Sequence, residues 1–187
     1  MRAFAGSRTF RWQSWEKTGL EHCVIRSEGL DFLAEGVVIA PGTDKPFACR
    51  YALRFNSAWH TQSVSVALVG QERSLQLTMN GQGRWHKDAV PIPELDYALA
   101  PDISATPFTN TLAIRRLNLS EGESADIETA YVDLPSLTVF ADPQRYTCLK
   151  RGSLYRFESL DSDFNSEISV DADGFVVTYP GLFRRLE

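Results

Sequence analysis

Residues 102–117, DISATPFTNTLAIRRL, constrain the fold more than any other part of the chain. Thr106 followed by Pro107 marks a helix start, because a Thr hydroxyl accepts an orphan N–H of the first turn and proline loses nothing where the N–H would be unpaired. The spacing predicts a helix over about 106–117. At about 100° per residue, Phe108 and Leu112 lie on one side and Ala113 and Leu117 on the other, with Ile114 near the latter. A helix apolar on most of its circumference has to be enclosed. Against that, Thr109, Asn110 and Thr111 are poor helix formers, and burying Arg115 or Arg116 unpaired is costly. Two readings follow. Either the interior is polar in places, with Asp102 or Asp96 holding one guanidinium, or both Arg sit half solvated at the helix C-terminus, favoured by the macrodipole.

Elsewhere the period is mostly two, the strand period. Cys23 and Ile25 alternate with Val24 and Arg26, and residues 32–39 form an apolar run before a Pro41-Gly42 turn. Phe47, Cys49, Tyr51, Leu53 and Phe55 alternate with a mixed face, and Val64, Val66 and Leu68 alternate with serines and Ala67. Leu75, Leu77 and Met79 precede Asn80-Gly81, the strongest hairpin signal in the chain, with Trp85 on the return strand. Prolines 91, 93, 101 and 107 break the pattern and predict a connector from 89 to 107 that delivers the chain to the helix. After an acidic turn at 120–124, residues 127–132 resume a strand, and Phe175, Val177 and Tyr179 alternate beyond Asp173-Gly174. Tyr155, Phe157, Phe164, Ile168 and Val170 repeat Tyr51, Leu53, Trp59, Val64 and Val66 in outline. Periodicity alone supports an ordinary antiparallel barrel as well as a roll, and only the enclosed helix favours the roll.

Two segments, TPFTNTLAIRRL at 106–117 and VDADGFVVTYPGLFRR at 170–185, resemble the bacterial putative glycolipid-binding family. GLEH at 19–22 and Trp59 with Thr61 extend the likeness over nearly the whole chain. Ala113 stands where the family pattern carries Pro. Asp96 and Asp102 fit its Leu-Asp-Gly-Cys-Leu-Asp-like run, whereas Tyr97, Ala98 and Ala100 depart from it, as do Asn56 and Gln62 from an expected acid and Arg. The resemblance implies a mainly β spiral roll, a many-stranded antiparallel sheet wrapped around a single central helix. It also implies homodimers and binding of a glycolipid.

Composition bounds the function. With 187 residues, 43% hydrophobic and 11% aromatic, residues 1–187 suffice for one domain with a sizeable core. The net charge of -5 and the isolated pairs Arg115-Arg116 and Arg184-Arg185 argue against a nucleic-acid partner. Cys23, Cys49 and Cys148 form neither a disulfide framework nor a zinc ribbon, and read as buried thiols in a reducing compartment. The start, MRAFAGSRTFRW, carries no apolar run of signal-peptide length, and no stretch reaches the length of a transmembrane span. The expectation is a cytoplasmic protein.

His22, His60 and His86 have no ligand spacing, and neither a nucleophile elbow nor a phosphate loop occurs, so neither metal, cofactor nor catalytic residue is assigned. What remains is amphipathic. Trp59, Trp85, Tyr146, Tyr155 and Tyr179 can stack on sugar faces and tolerate acyl chains, and Asp102, Thr109, Asn110, Arg115 and Arg116 can hydrogen-bond hydroxyls or anions. Each aromatic is equally a candidate for the core. The expected function is non-enzymatic binding of a glycolipid or another amphipathic small molecule, with Trp59 and Trp85 on the ligand wall. Two alternatives stand beside it: an enzyme using a carboxylate pair drawn from Asp96, Asp102 and Glu158, and a dimeric scaffold with no ligand.

Overall fold

The computed structural model describes residues 6–42 and 44–187; the N-terminal stretch considered for a leader begins in residues 1–5, outside them. The first half is a meander of β1 (Ser7–Ser14), β2 (Leu20–Glu28), β3 (Asp31–Ala40), β4 (Phe47–Asn56), β5 (Thr61–Leu68), β6 (Ser74–Met79), β7 (Trp85–Lys87) and β8 (Val90–Pro91). A 3-10 turn (Pro93–Leu95) leads to β9 (Ala98–Ile103), α1 (Phe108–Leu117) and β10 (Ser124–Val132). The chain then continues through β11 (Val139–Lys150), β12 (Leu154–Ser159), β13 (Asn165–Val170), β14 (Val176–Tyr179) and β15 (Phe183–Leu186). All fifteen strands of the described residues join one sheet, running from β8 to β1, across to β15 and on to β9. The chain's two ends therefore meet mid-sheet, where Arg11 faces Leu186 and Ser14 faces Phe183. The sheet is open and wraps α1, the expected β-roll.

Period-two alternation becomes inward rows. Ile25, Ala34, Leu53, Val64 and Leu77 line up across five strands, and Cys23, Gly36, Tyr51 and Val66 form the row beside them. All of these are buried. The helix is buried from Phe108 through Arg115, as its all-round apolar pattern requires. Phe108 and Leu112 pack in the core of the first half, with Phe55 and Trp59, whereas Ala113 and Ile114 pack in a second cluster with Tyr146, Ile168 and Val176. Each fully buried Phe, Leu or Ile side chain contributes about 1.5–3 kcal/mol, so α1 is held from both sides. Thr106 Oγ1 accepts the Phe108 N–H, so the helix begins two residues later than the sequence predicts, with that hydroxyl serving its first turn. At the other end Asn118 takes a left-handed conformation and its N–H returns to the Ile114 carbonyl.

Several details differ from expectation. One strand pair is parallel: β9 and β10 flank α1, and a chain that crosses over through a helix re-enters in the same direction. Pro101 lies inside β9, within the predicted connector; this is the sheet edge, where a strand residue needs no donor on its outer side. The β6–β7 hairpin forms, but its left-handed residue is Gly83, and Asn80 Oδ1 accepts the N–H groups of Gln82 and Arg84. In β14, Val176 is buried while Val177 is only half-buried, because the β13–β14 register shifts beside Val170. The outlined repeat recurs as two hairpins, β4–β5 and β12–β13. Tyr51 faces Val66, whereas Tyr155 faces Ile168 rather than Val170, so the two differ by two residues in register.

Gly36 lies between Cys23 and Tyr51 in its row, and a Cβ added there would fall within the Tyr51 ring. Gly36→Ala should therefore destabilise by about 1–3 kcal/mol through overpacking. Urea denaturation measures it; a midpoint equal to the native one would show that the ring has room to move.

Candidate ligand-binding site

Strand β2 places Glu21 in phase with Cys23 and Ile25, on the inward face. The carboxyl is 2% exposed. Its Oε1 accepts hydrogen bonds from the Tyr51 hydroxyl and from Thr106 Oγ1, the latter at 2.7 Å, so the group that serves the helix N-terminus is tied to the β2 carboxyl. Oε2 is buried without a hydrogen-bond partner. Burial pushes this carboxyl up from 4.5 to about 8, against the lowering pull of the Tyr51 and Thr106 bonds. With both donors on Oε1, the proton of the neutral acid belongs on Oε2.

On the other side of α1 a polar chain runs through the second half of the sheet. Asn110 Nδ2 donates to the Tyr146 hydroxyl at 2.9 Å, which donates to Gln144 Oε1 at 3.4 Å. Gln144 Nε2 in turn donates to Asp102 at 2.8 Å and to Asp142 at 2.6 Å, bringing two carboxylates onto one amide nitrogen. Thr109, in the first turn of α1, donates to the other Asp102 oxygen at 2.8 Å. Burial raises both aspartates above the usual carboxylate range, although the hydrogen bonds they receive oppose it. Tyr131, beside them, is pushed up to about 12, by burial first and the Asp102 charge second.

Two cavities open along this line. The first, about 380 Å³, is apolar, walled by Trp12, Trp15, Leu20, Val38 and Phe47, with Glu21 at its inner side. The second, about 400 Å³, carries Asp102, Asp142, Asp161, Asn110 and Ser159 with the rings of Tyr131, Phe140, Phe164 and Tyr179. Ser104, Leu182 and Phe183 belong to both walls, so the cavities adjoin as apolar and polar lobes of one site. Both volumes fall in the range of small-molecule pockets.

The structure brings Asp102, Asn110 and Tyr179 to the polar lobe, with Thr109 and Tyr146 one hydrogen bond behind. Trp59, Trp85, Tyr155 and Arg115 line neither lobe. Trp59 stacks on Phe55 and Trp85 donates its indole N–H to the Ala98 carbonyl, both within the core. Arg116 lines a separate cleft with Asn56, His60 and Gln62. The expected pairing of Arg115 or Arg116 with Asp102 or Asp96 does not form. Arg115 donates to the Asp173 carbonyl with its guanidinium 4.1 Å from the Trp59 ring centre, and Arg116 donates to the Leu99 carbonyl. The reason is axial: Asp102 meets Thr109 in the first turn, and Arg115 lies about 9 Å farther along at 1.5 Å per residue. Asp96 is exposed, and neither it nor Glu158 lines the lobes. Sequence reasoning passed over Glu21, Asp142 and Trp15. For Glu21 the signal was present, an acid in phase with Cys23 and Ile25; Asp142 and Trp15 carried none.

Residues 9–185 match a family model described as "Putative glycolipid-binding". The structure is similar to that of a DUF1089 family protein from Pseudomonas aeruginosa, with 33% identity and a TM-score of 0.80 over 100% of this chain and 95% of that one. No curated protein matches the chain.

The Glu21 environment predicts a pH dependence. Between 4.5 and about 8 the folded chain holds a proton that the unfolded chain has released. Stability should fall as pH rises across that window, by at most about 1.4 kcal/mol per unit, and level off above it. Glu21→Gln removes the ionisation and should flatten the slope in urea denaturation at stepped pH. Parallel curves for native and variant would exclude a raised Glu21.

Proposed function

The chain belongs to the putative glycolipid-binding family, and from that membership and the paired lobes we propose that it binds an amphiphile, with the acyl part in the apolar lobe and a sugar-type head in the polar one. The carrying observation is the shared wall of Ser104, Leu182 and Phe183, which sets an apolar cavity directly against a polar one with aromatic sides. Aromatic faces take sugar rings, and convergent carboxylates and amides take hydroxyls. The proposed ligand residues are Asp102, Asn110 and Tyr179, with Thr109 and Tyr146 setting them in place. Trp59, Trp85, Tyr155, Arg115 and Arg116 enter as supports of the surrounding core and rim.

One arrangement favours a hydrolytic enzyme instead: Asp102 and Asp142, held on one Gln144 nitrogen and both raised by burial, are a pair able to serve as acid and base. Three free, buried thiols support a reducing, cytoplasmic location. Among the described residues no helix is long and apolar enough to cross a membrane. A homodimer is part of the proposal, supported by apolar residues beside the sheet edges, Val90 at 65% and Tyr97 at 85% exposure; light scattering should give twice the chain mass, and a monomer would remove it.

Titration with an alkyl glucoside below its micelle concentration should shift tryptophan emission through Trp12 and Trp15, and Trp15→Phe should lose most of that response while Trp85→Phe keeps it. The same samples, followed for sugar release, separate binding from turnover. A response that is unchanged in Trp15→Phe would displace the ligand from the apolar lobe, and steady release of glucose would favour the enzyme.

A further inference from the structure

Both lobes are acidic, and among the described residues no cationic side chain lines either. Asp102, Asp142 and Asp161 line the polar lobe and Glu16 and Glu21 the apolar one, with no Lys, Arg or His in either wall among the described residues. Arg184, beside the apolar lobe, is held on Trp15, donating to its carbonyl at 3.0 Å with the guanidinium 4.7 Å from its ring centre. The absence of cations here is local, because the chain carries 19 Lys and Arg, and the surface pairs Arg145–Asp126 and Arg156–Glu167 use them elsewhere.

The second observation is independent of that cluster. Glu21, 2% exposed and in the wall of the apolar lobe, keeps Oε2 without a partner, while its other oxygen is held by Tyr51 and by Thr106, itself a residue of the polar lobe's wall. A ligand hydroxyl suits such an oxygen in either protonation state, since it can donate to a carboxylate or accept from a carboxylic acid. A phosphate, sulfate or carboxylate can accept the single proton of the neutral form but has no donor for the ionised one, and it brings like charge to Asp102, Asp142 and Asp161 in the polar lobe.

Resting on the binding reading above, we propose that this site selects against charge: it takes glycolipids whose head is an uncharged or amino-bearing polyol, and rejects anionic heads such as phosphate, sulfate or uronate. Anion sites elsewhere are built from Arg forks, Lys or converging N–H groups. Here the polar side chains that face the head are chiefly carboxylates and hydroxyls. Discrimination comes from repulsion and from unmatched acceptors, and a site that lacks one positive partner needs no clash to exclude an anion.

Three chain-matched probes test it: dodecyl glucoside, dodecyl glucosaminide and dodecyl glucuronide, titrated at low salt below their micelle concentrations with binding read by calorimetry. The glucoside and glucosaminide should bind, and the glucuronide should bind at least about tenfold more weakly, the scale expected of one like charge near a half-buried carboxylate. The double variant Asp142→Asn, Asp161→Asn should shrink that ratio several-fold; Asp161 is exposed and Asp142 half-buried, so the chain should still fold, which its denaturation midpoint verifies. Equal affinities for the glucoside and glucuronide, or a ratio unmoved by the double variant, would overturn the charge selection and leave the binding reading standing. Failure of all three probes to bind would overturn both.

Discussion

An α-helix with apolar groups on nearly every side cannot rest on a surface, and the rest of this structure follows from enclosing one. Phe108 and Leu112 need a core on one side of α1, Ala113 and Ile114 a core on the other, and a single flat sheet supplies only one. The sheet therefore wraps. Its two edges, β8 and β9, come from adjacent stretches of chain, and its middle is the junction of the two chain ends at β1 and β15. The one parallel pairing, β9 with β10, is the direct consequence of inserting the helix between two neighbouring strands.

Enclosure brings polar groups inside, and among the described residues they are held without fully buried ion pairs. Burial keeps Glu21 an acid, and two hydroxyls donate to its Oε1, one of which also serves the first turn of α1. Asp102 is shared between Thr109 and Gln144. Arg115 meets an aromatic face and a carbonyl, which suits a guanidinium because it is weakly hydrated and planar. Each arrangement spans elements distant in sequence, so the lobes that lie between them depend on the roll being formed. From the wall of the polar lobe, where the carboxylates gather, a hydrogen-bonded chain runs from Asn110 to Tyr146 and Gln144. The proposed amphiphile rests on that arrangement.

The strands that carried strict alternation were legible because burial on one face leaves a trace at every second residue; β4 was read almost to its end, and β5 from Val64 onward. Strand β9 was not, since Pro101 argues against a strand everywhere except at an edge, and being an edge is a property of the whole sheet. The candidate site was half legible. Asp102, Thr109, Asn110 and Tyr179 stood out as polar or amphipathic residues around an apolar helix; Asp102, Asn110 and Tyr179 line one lobe, with Thr109 one hydrogen bond behind. Trp59 and Trp85 stood out for size alone, which says nothing about whether a ring faces a cavity or a core.

By itself the sequence determined that an apolar helix lies inside a many-stranded sheet, because side-chain periodicity and local capping are functions of neighbouring residues. It determined as well that Arg115 and Arg116 would fall in the last turn, since helical spacing places them there. Only the tertiary structure decided what those groups meet. Arg115 found Asp173 and Trp59 rather than Asp102, and Glu21 found Tyr51 and Thr106. Partners 30 to 85 positions apart are chosen by strand register and by the wrap of the sheet. Those are fixed by the summed packing of all fifteen strands, and no short window of residues encodes them.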